Sequence, residues 1–274
     1  MINFKVSLCD KTLFTEYMAK LSIISTVLAF LLIPYELPEE FKNGKTVSFI
    51  TALLFLFYIF TWFLANYTKA TSLKINGTNV EVKVGDIFDE KGLKVIAFNE
   101  YFDTSVDDKI IAAKSLNGIF LKSKASETKL IDDAIENDPN LKVISSNPNR
   151  IGGKKNKYAL GSICKYEDYL LTAFSKFDEH NRANLTVREY TDFFINFWNE
   201  VDILHAGRHV SIPLLGSGVT RFTNHCSISE QELLELMLLS FKISRVSFAE
   251  SVTISIVIYS GNAKNINFYK LGGV

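Results

Sequence analysis

The 274-residue chain balances 30 Lys and Arg against 30 Asp and Glu, so its net charge is zero, and 47% of it is hydrophobic, with 22 Phe. Neutrality removes the electrostatic case for a nucleic-acid partner. Cys9, Cys164 and Cys226 are odd in number and far apart, which argues against a disulfide framework and for a reducing compartment; the histidines show no metal spacing with them.

Two apolar runs come first. Leu21–Ile33 reaches spanning length when Tyr17, Met18, Ala19 and Lys20 are counted in, with Lys20 snorkelling to the headgroups, and Pro34 ends it. Val47–Tyr67 runs for 21 residues without a charge, and as a helix it spans about 31 Å, a bilayer's hydrocarbon thickness. Tyr58, Trp62 and Tyr67 near one end suit an interfacial belt. Backbone groups in lipid must be satisfied internally, so helices are expected over about 17–33 and 47–67, joined as a hairpin by residues 34–46. A signal peptide is the competing reading of the first run, but Pro34-Tyr35-Glu36-Leu37-Pro38 offers no small-residue cleavage site. Lys5, Lys11 and Lys20 precede the hairpin, Lys69, Lys74 and Lys83 follow it, and Lys42 and Lys45 lie in the linker. That bias places both termini and the following domain in the cytoplasm, where the Asn66, Asn76 and Asn184 sequons carry no meaning. Beyond scattered Ser22, Ser25, Thr26, Ser48, Thr51 and Thr61, the spans show no polar face for a pore.

Residues 71–274 alternate strands with helices. Val80–Val84 alternates as a strand, and Leu93–Phe98 reads as a buried one. A short helix is expected over 107–114, a strand over Asn117–Leu121, and a helix over Ser126–Asn137, ended by Asp138-Pro139. Asn147–Lys157 is a basic, hairpin-like loop, solvated or in contact with anionic lipid or phosphate. Tyr158–Cys164 and Tyr169–Ser175 follow as strands. Thr186-Val187-Arg188-Glu189 has the form of a capping box, and Tyr190, Phe193, Phe194, Phe197, Trp198 and Val201 recur at helical spacing as core. Ser229-Glu230-Gln231-Glu232 opens a second helix in the same way, with Leu233–Phe241 following. His209–Leu214 and the β-branched Ser251–Tyr259 are strands. The pattern indicates a largely parallel or mixed sheet covered on both faces.

The candidate chemistry sits at strand ends. His209–Leu214 runs into Leu215-Gly216-Ser217-Gly218-Val219-Thr220-Arg221-Phe222, whose alternating glycines permit an anion-binding nest of amides; Ser217 and Thr220 add hydroxyls and Arg221 a charge. A plain tight connection is the other reading of such a turn. Gly85-Asp86-Ile87 follows the strand Val80–Val84, where a carboxylate suits an adenine amine and the next amide the ring. Leu93–Phe98 delivers Asn99, whose amide both donates and accepts, as a ribose hydroxyl requires.

This order resembles the macro domain, the ADP-ribose-binding α/β/α sandwich, across roughly residues 72–270. In that family Gly-Asp-Ile precedes a strand ending in Asn, and a later strand ends in a Pro-x-x-Gly-x-Gly phosphate loop, which Pro213-Leu214-Leu215-Gly216-Ser217-Gly218 matches. The fold it implies is a three-layer α/β/α sandwich with a mixed sheet behind a two-helix transmembrane hairpin. Most macro domains follow their Asn strand with a glycine-rich loop; here Glu100 to Asp108 is bulky and acidic, without glycine. Hydrolytic members rely on that loop, so no catalytic residue, metal or cofactor is assigned. Asp107 and Asp108 read as helix caps, while Glu100, Tyr101 and Asp103 are expected to shape a pocket for a cationic group on the distal ribose. Ser115-Leu116-Asn117-Gly118 lines the same side or is a plain turn; Ser115 and Gly118 are counted as ligand-binding, as is Tyr259 at the end of the last strand.

With two N-terminal membrane helices, the chain resembles the transmembrane macro effectors of bacterial Thoeris antiviral defence. The resemblance implies an inner-membrane sensor of an ADP-ribose-derived messenger, carrying histidine in relatives of this architecture and made by a TIR-domain partner. Binding would drive homo-oligomerisation and membrane damage. A membrane-anchored ADP-ribosyl hydrolase or NAD-metabolite enzyme, using Asn99 with Glu100, Asp103 or Asp107, and a passive ADP-ribose-binding scaffold are the alternatives.

Overall fold

The computed structural model describes residues 4–32, 43–123, 127–218, 220–223 and 228–273. The chain divides into two compact units, Met1–Lys69 and Ala70–Val274. The expected 34–46 connection lies largely outside the described residues.

In the first unit Asp10 sets where the leading helix begins. Its carboxylate accepts from the amides of Thr12 (2.9 Å) and Leu13 (3.1 Å), satisfying first-turn donors, so α1 runs Lys11–Leu32 and starts six residues before Tyr17. The second helix, α2 (Gly44–Tyr67), is capped by Asn43, which accepts from Lys45 N. Both are long and apolar enough to cross a membrane. Residues before α1 dock on the end of α2: Trp62 Nε1 donates to the Val6 carbonyl at 2.8 Å, and Asn66 Oδ1 accepts from the amides of Lys5 and Val6 at 2.7 and 2.8 Å. Lys20 reaches back one turn toward the start of α1, its ammonium 3.9 Å from Glu16.

The second unit opens with a strand that went unread. Asn76 and Gly77 take φ of +51° and +80°, the two left-handed residues of a tight hairpin turn, and so pair β1 (Ala70–Ile75) with β2 (Thr78–Val84). The remaining strands are β3 (Leu93–Asn99), β4 (Val143–Ser146), β5 (Asn156–Tyr158), β6 (Ile163–Tyr166), β7 (Tyr169–Phe177), β8 (Ala183–Leu185), β9 (Val210–Pro213), β10 (Arg221–Phe222) and β11 (Thr253–Ile258). Nine of them form one sheet in the order β1-β2-β11-β9-β3-β7-β8-β10, with β6 also on β7. β2, β11, β9, β3 and β7 are mutually parallel neighbours; β1, β6 and β8 join antiparallel, so the sheet is mixed.

Two apolar clusters cover its faces. One packs Val82, Val95, Leu170 and Ile254 against α5 (Val187–Leu204) and α6 (Glu230–Ser244). The other packs Ile96, Phe98 and Leu171 against α3 (Leu116–Ser123) and α4 (Thr128–Asn137). Neighbours such as Val95 and Ile96 point to opposite faces, as a strand buried on both sides requires. The result is the three-layer α/β/α sandwich. The aromatic stripe of α5 is core, and Trp198 satisfies its indole on Ser240 Oγ at 2.9 Å.

Three expected elements differ. Residues 107–114 form no helix, because Asp107 accepts from Lys109 and Ile110 amides while Asp108, at φ +60°, accepts from Ala113 N; those bonds compete with a helical ladder. Asn117–Leu121 is helical, not extended: Ser115 Oγ accepts from Gly118 N at 3.0 Å, and Asn117, Phe120 and Leu121 bury one face at helical spacing. Tyr158–Cys164 is broken by a turn between β5 and β6. The basic loop is the tip of the β4–β5 hairpin. Helix α4 begins at Thr128, and Ser126 lies outside the described residues.

Both capping boxes close. In the first, Glu189 also meets Lys176 at 2.6 Å. Burial alone would raise the Glu189 pKa, but Lys176 and the amide and hydroxyl of Thr186 outweigh it and hold it below the ordinary value. A depressed folded-state pKa gives stability that is present above the unfolded value, about 4.3, and is lost as pH falls through the folded one. Glu189→Gln should therefore cost about 1 kcal/mol at pH 7, with the gap to the parent closing below pH 4 in urea titrations; a gap independent of pH would count against the charged box.

Candidate functional site

The five parallel strands end at one edge, and a cavity of about 500 Å³ opens there. That is where ligands bind in open α/β sheets. Gly85, Asp86 and Ile87 enter it after β2, Asn99 from β3, Ser175 and Phe177 from β7, Pro213 to Gly218 and Thr220 after β9, and Tyr259 after β11. Ile110 to Ala112, Ser115 to Asn117 and Ile119 close the side toward α3.

The 214–218 turn is held from beneath. Tyr190 of α5 donates its hydroxyl to the Leu215 carbonyl at 3.0 Å, and burial pushes that phenol's pKa far up, so the donor stays protonated. Ser217 donates its hydroxyl and, more weakly, its amide to the Leu214 carbonyl (2.7 and 3.4 Å). Gly216 sits at φ +87°, and a Cβ there would lie 3.2 Å from the Phe222 ring. The amides of Leu215, Gly216 and Gly218 have no acceptor among the described residues, which leaves donors for an anion. Val219 lies outside the described residues. Arg221 and Phe222 form β10 and do not line the cavity: Arg221 is exposed, and Phe222 packs edge-on to Tyr190 at 5.6 Å.

Across the cavity, Asp86 accepts from Phe88 N at 2.9 Å through one oxygen. Buried Asn99 is oriented by its own loop: a register shift at Phe98/Asn99 turns the chain, Asn99 Nδ2 donates to Asp103 at 2.9 Å, and its Oδ1 accepts from Tyr101 N at 2.9 Å. Phe102 then takes φ +51° without being glycine and is fully buried, the strained substitute for the glycine-rich loop that the sequence lacks.

Tyr101 and Asp103, expected to shape the pocket, do not line it. They lie behind the wall in an ionic cluster that reaches the β4–β5 hairpin. Asp103 (1% exposed) holds Arg150 (7% exposed) in a two-pronged pair of 2.6 and 3.1 Å and accepts from Lys154 N at 2.7 Å. Arg150 stacks on the Tyr101 ring at 3.8 Å and is braced by Asn181 at 2.8 Å. Glu100 takes Lys157 at 3.0 Å. Burial would lower the Lys157 pKa, but the hydrogen bond and charge of Glu100 raise it above its usual value. These carboxylates answer the chain's own cations, and Asp107 is spent on loop amides. Gly118 stands beside the cavity as a packing residue, where a Cβ would sit 2.2 Å from the Ala112 carbonyl.

Asn117 belongs to the 115–118 stretch expected to line this side, although only Ser115 and Gly118 are counted there as ligand-binding. It lines the cavity, is 8% exposed, and its Oδ1 is buried without a hydrogen-bond partner among the described residues. An orphaned buried acceptor is costly until a donor meets it.

The chain matches the family described as "Thoeris protein ThsA, Macro domain" over residues 80–259. It is also similar to the Thoeris protein ThsA of Bacillus amyloliquefaciens (strain Y2), with 45% identity over 230 residues that span 82% of this chain and 76% of that protein.

Removing one member of the buried pair strands the other. Arg150→Met should destabilise the domain by about 3–5 kcal/mol, read as a lower urea midpoint, and Arg150→Met with Asp103→Leu should recover part of the loss. A cost near zero for the single change would mean that water already reaches Asp103.

Proposed function

The chain belongs to the Thoeris ThsA macro-domain family of antiphage-defence proteins, and on that footing we propose that it is a membrane-anchored sensor of an ADP-ribose-derived signal. The observation that carries the reading is the cavity at the strand ends, which combines the Gly216 turn and its unanswered amides with Asp86 and Asn99 on the opposite wall. A diphosphate suits the amides, an adenine amine the free face of Asp86, and a ribose hydroxyl the remaining Nδ2 proton of Asn99, whose Oδ1 already accepts from Tyr101 and Asp103 amides. About 500 Å³ lies within the range of small-molecule sites. Asn117 supplies a lone acceptor for a donor group on the ligand.

The two apolar helices anchor the protein in the bacterial inner membrane, with both termini and the macro domain in the cytoplasm. A TIR-domain partner supplies the signal, the histidine conjugate of ADP-ribose, without needing to touch this chain. Binding drives homo-oligomerisation, and the assembled helices disrupt the lipid. To swing a population from 1:99 to 99:1, the signal must favour the assembled state by about 5.5 kcal/mol. The Asn99–Asp103–Arg150 chain of contacts supports a route, since a ligand that draws on Asn99 competes with the bond that ties the cavity wall to the β4–β5 hairpin. The protein acts by binding rather than by turnover.

Size in detergent, measured by mass photometry with ADP-ribose or its histidine conjugate, tests the reading. Growth to a large assembly with the conjugate is expected. No growth with either ligand, together with cleavage of an ADP-ribosylated substrate, would replace the sensor with a hydrolase.

A further inference from the structure

Charge is scarce on the walls of the strand-edge cavity. Among the described residues that line it, Asp86 and Lys114 alone are charged at neutral pH, and they stand on different walls. Asp86 follows β2, the 214–218 turn follows β9 and Asn99 ends β3, so the three run along the edge in the sheet order β2-β11-β9-β3. Lys114 belongs to the segment before α3, whose Phe120 packs on Phe98 of β3 and Tyr169 of β7, with ring centroids 6.3 and 4.6 Å apart. An ADP-ribose laid along the edge has its adenine at Asp86, its diphosphate at the turn and a ribose at Asn99. Whatever extends past that ribose then meets the wall that carries Lys114.

This wall holds the position and leaves the ammonium unanswered. Asp108 accepts from Ala113 N at 2.7 Å, and Ser115 donates its amide and its hydroxyl to the Ala112 carbonyl at 3.0 and 2.7 Å. The backbone is therefore pinned on both sides of Lys114, whose exposed side chain has no hydrogen bond or ion pair among the described residues. The cations of the β4–β5 hairpin are in the opposite situation: Arg150, Lys154 and Lys157 are taken by Asp103, Asp132 and Glu100 at 2.6, 2.6 and 3.0 Å. Glu100 and Asp103 were the carboxylates expected to face a cationic group. With both spent behind the wall, this side of the cavity keeps one free cation beside neutral Ser115 and Asn117, and the charge expected of the ligand reverses.

Resting on the sensor reading above, we propose that the signal carries an anionic group beyond its ribose at Asn99, and that Lys114 is the residue that reads it. A carboxylate is the class that fits, since an ammonium meets it as a point charge through a charge-assisted hydrogen bond. The histidine conjugate presents one on its α-carbon. Lys114 thereby separates the signal from bare ADP-ribose, which the Gly216 turn and Asp86 hold equally well.

Titration calorimetry on the full chain in detergent tests this, with ADP-ribose, its histidine conjugate and its histamine conjugate. Histamine keeps the imidazole and the ammonium and lacks only the carboxylate. The parent should bind the histidine conjugate about tenfold more tightly than the histamine one, the worth of one charge-assisted contact. Lys114→Met should bring that ratio to about one, because the cycle cancels effects on the shared part of the ligand. Lys114→Arg, which keeps the charge, should retain most of it. A parent without the preference, or a preference that survives Lys114→Met, overturns the proposal and leaves the cavity reading standing. So does a loss in Lys114→Met as large for ADP-ribose as for the histidine conjugate, which puts Lys114 on the diphosphate instead. A parent that binds none of the three ligands removes the sensor reading, and the role of Lys114 with it.

Discussion

Five neighbouring parallel strands surrender their chain at one edge, and nearly every polar group that faces the cavity is delivered there. This constraint governs the domain. Strands buried on both faces need helices above and below, so the sheet edge is the place left for backbone amides and polar side chains to converge. The turn after β9 depends on it most directly: Gly216 provides the left-handed step, Tyr190 of the helical layer fixes the Leu215 carbonyl, and three amides are left without an acceptor among the described residues. Core and site are therefore joined, since the aromatic residue that seals one apolar layer also shapes the anion-facing turn.

The opposite wall is built differently. No glycine follows Asn99, and the chain turns at Phe102 in a left-handed conformation that only firm packing and bonding make tolerable. The firmness comes from Asp103 and Arg150, buried together and braced by Tyr101 and Asn181. A buried pair is weak evidence for stability, but its best-attested role is to fix one arrangement among several. Here the arrangement fixed is that of Asn99.

Much of this was legible because local chemistry and tertiary demand agree. The capping boxes at Thr186 and Ser229, the aromatic period of α5, and the buried strand ending in Asn99 read correctly, since each is a short-range pattern that the fold confirms. The Gly-Asp-Ile and Pro-x-x-Gly-x-Gly turns carry the family resemblance in local sequence alone. What failed has physical causes. The 107–114 stretch looked helical, but its aspartates take the amides that a helix would need. Asn117–Leu121 was too short for its period to tell helix from strand, and that Asn117 Oδ1 is left without a partner among the described residues depends on tertiary packing that no local pattern shows. Arg150 looked like one more solvated loop cation, because its partner lies 47 residues away. The hairpin at Asn76-Gly77 was simply there to be read.

The central claim is that the strand-edge cavity receives an ADP-ribose compound, and titration calorimetry tests it most directly. ADP-ribose and its histidine conjugate should be run against the parent chain, Asp86→Ala, Gly216→Val and Asn117→Ala. Saturable binding to the parent is expected, abolished by Asp86→Ala and Gly216→Val and weakened about tenfold by Asn117→Ala, the loss of one hydrogen bond. Absence of binding to the parent, or binding to Gly216→Val as tight as to the parent, would contradict the assignment of this cavity.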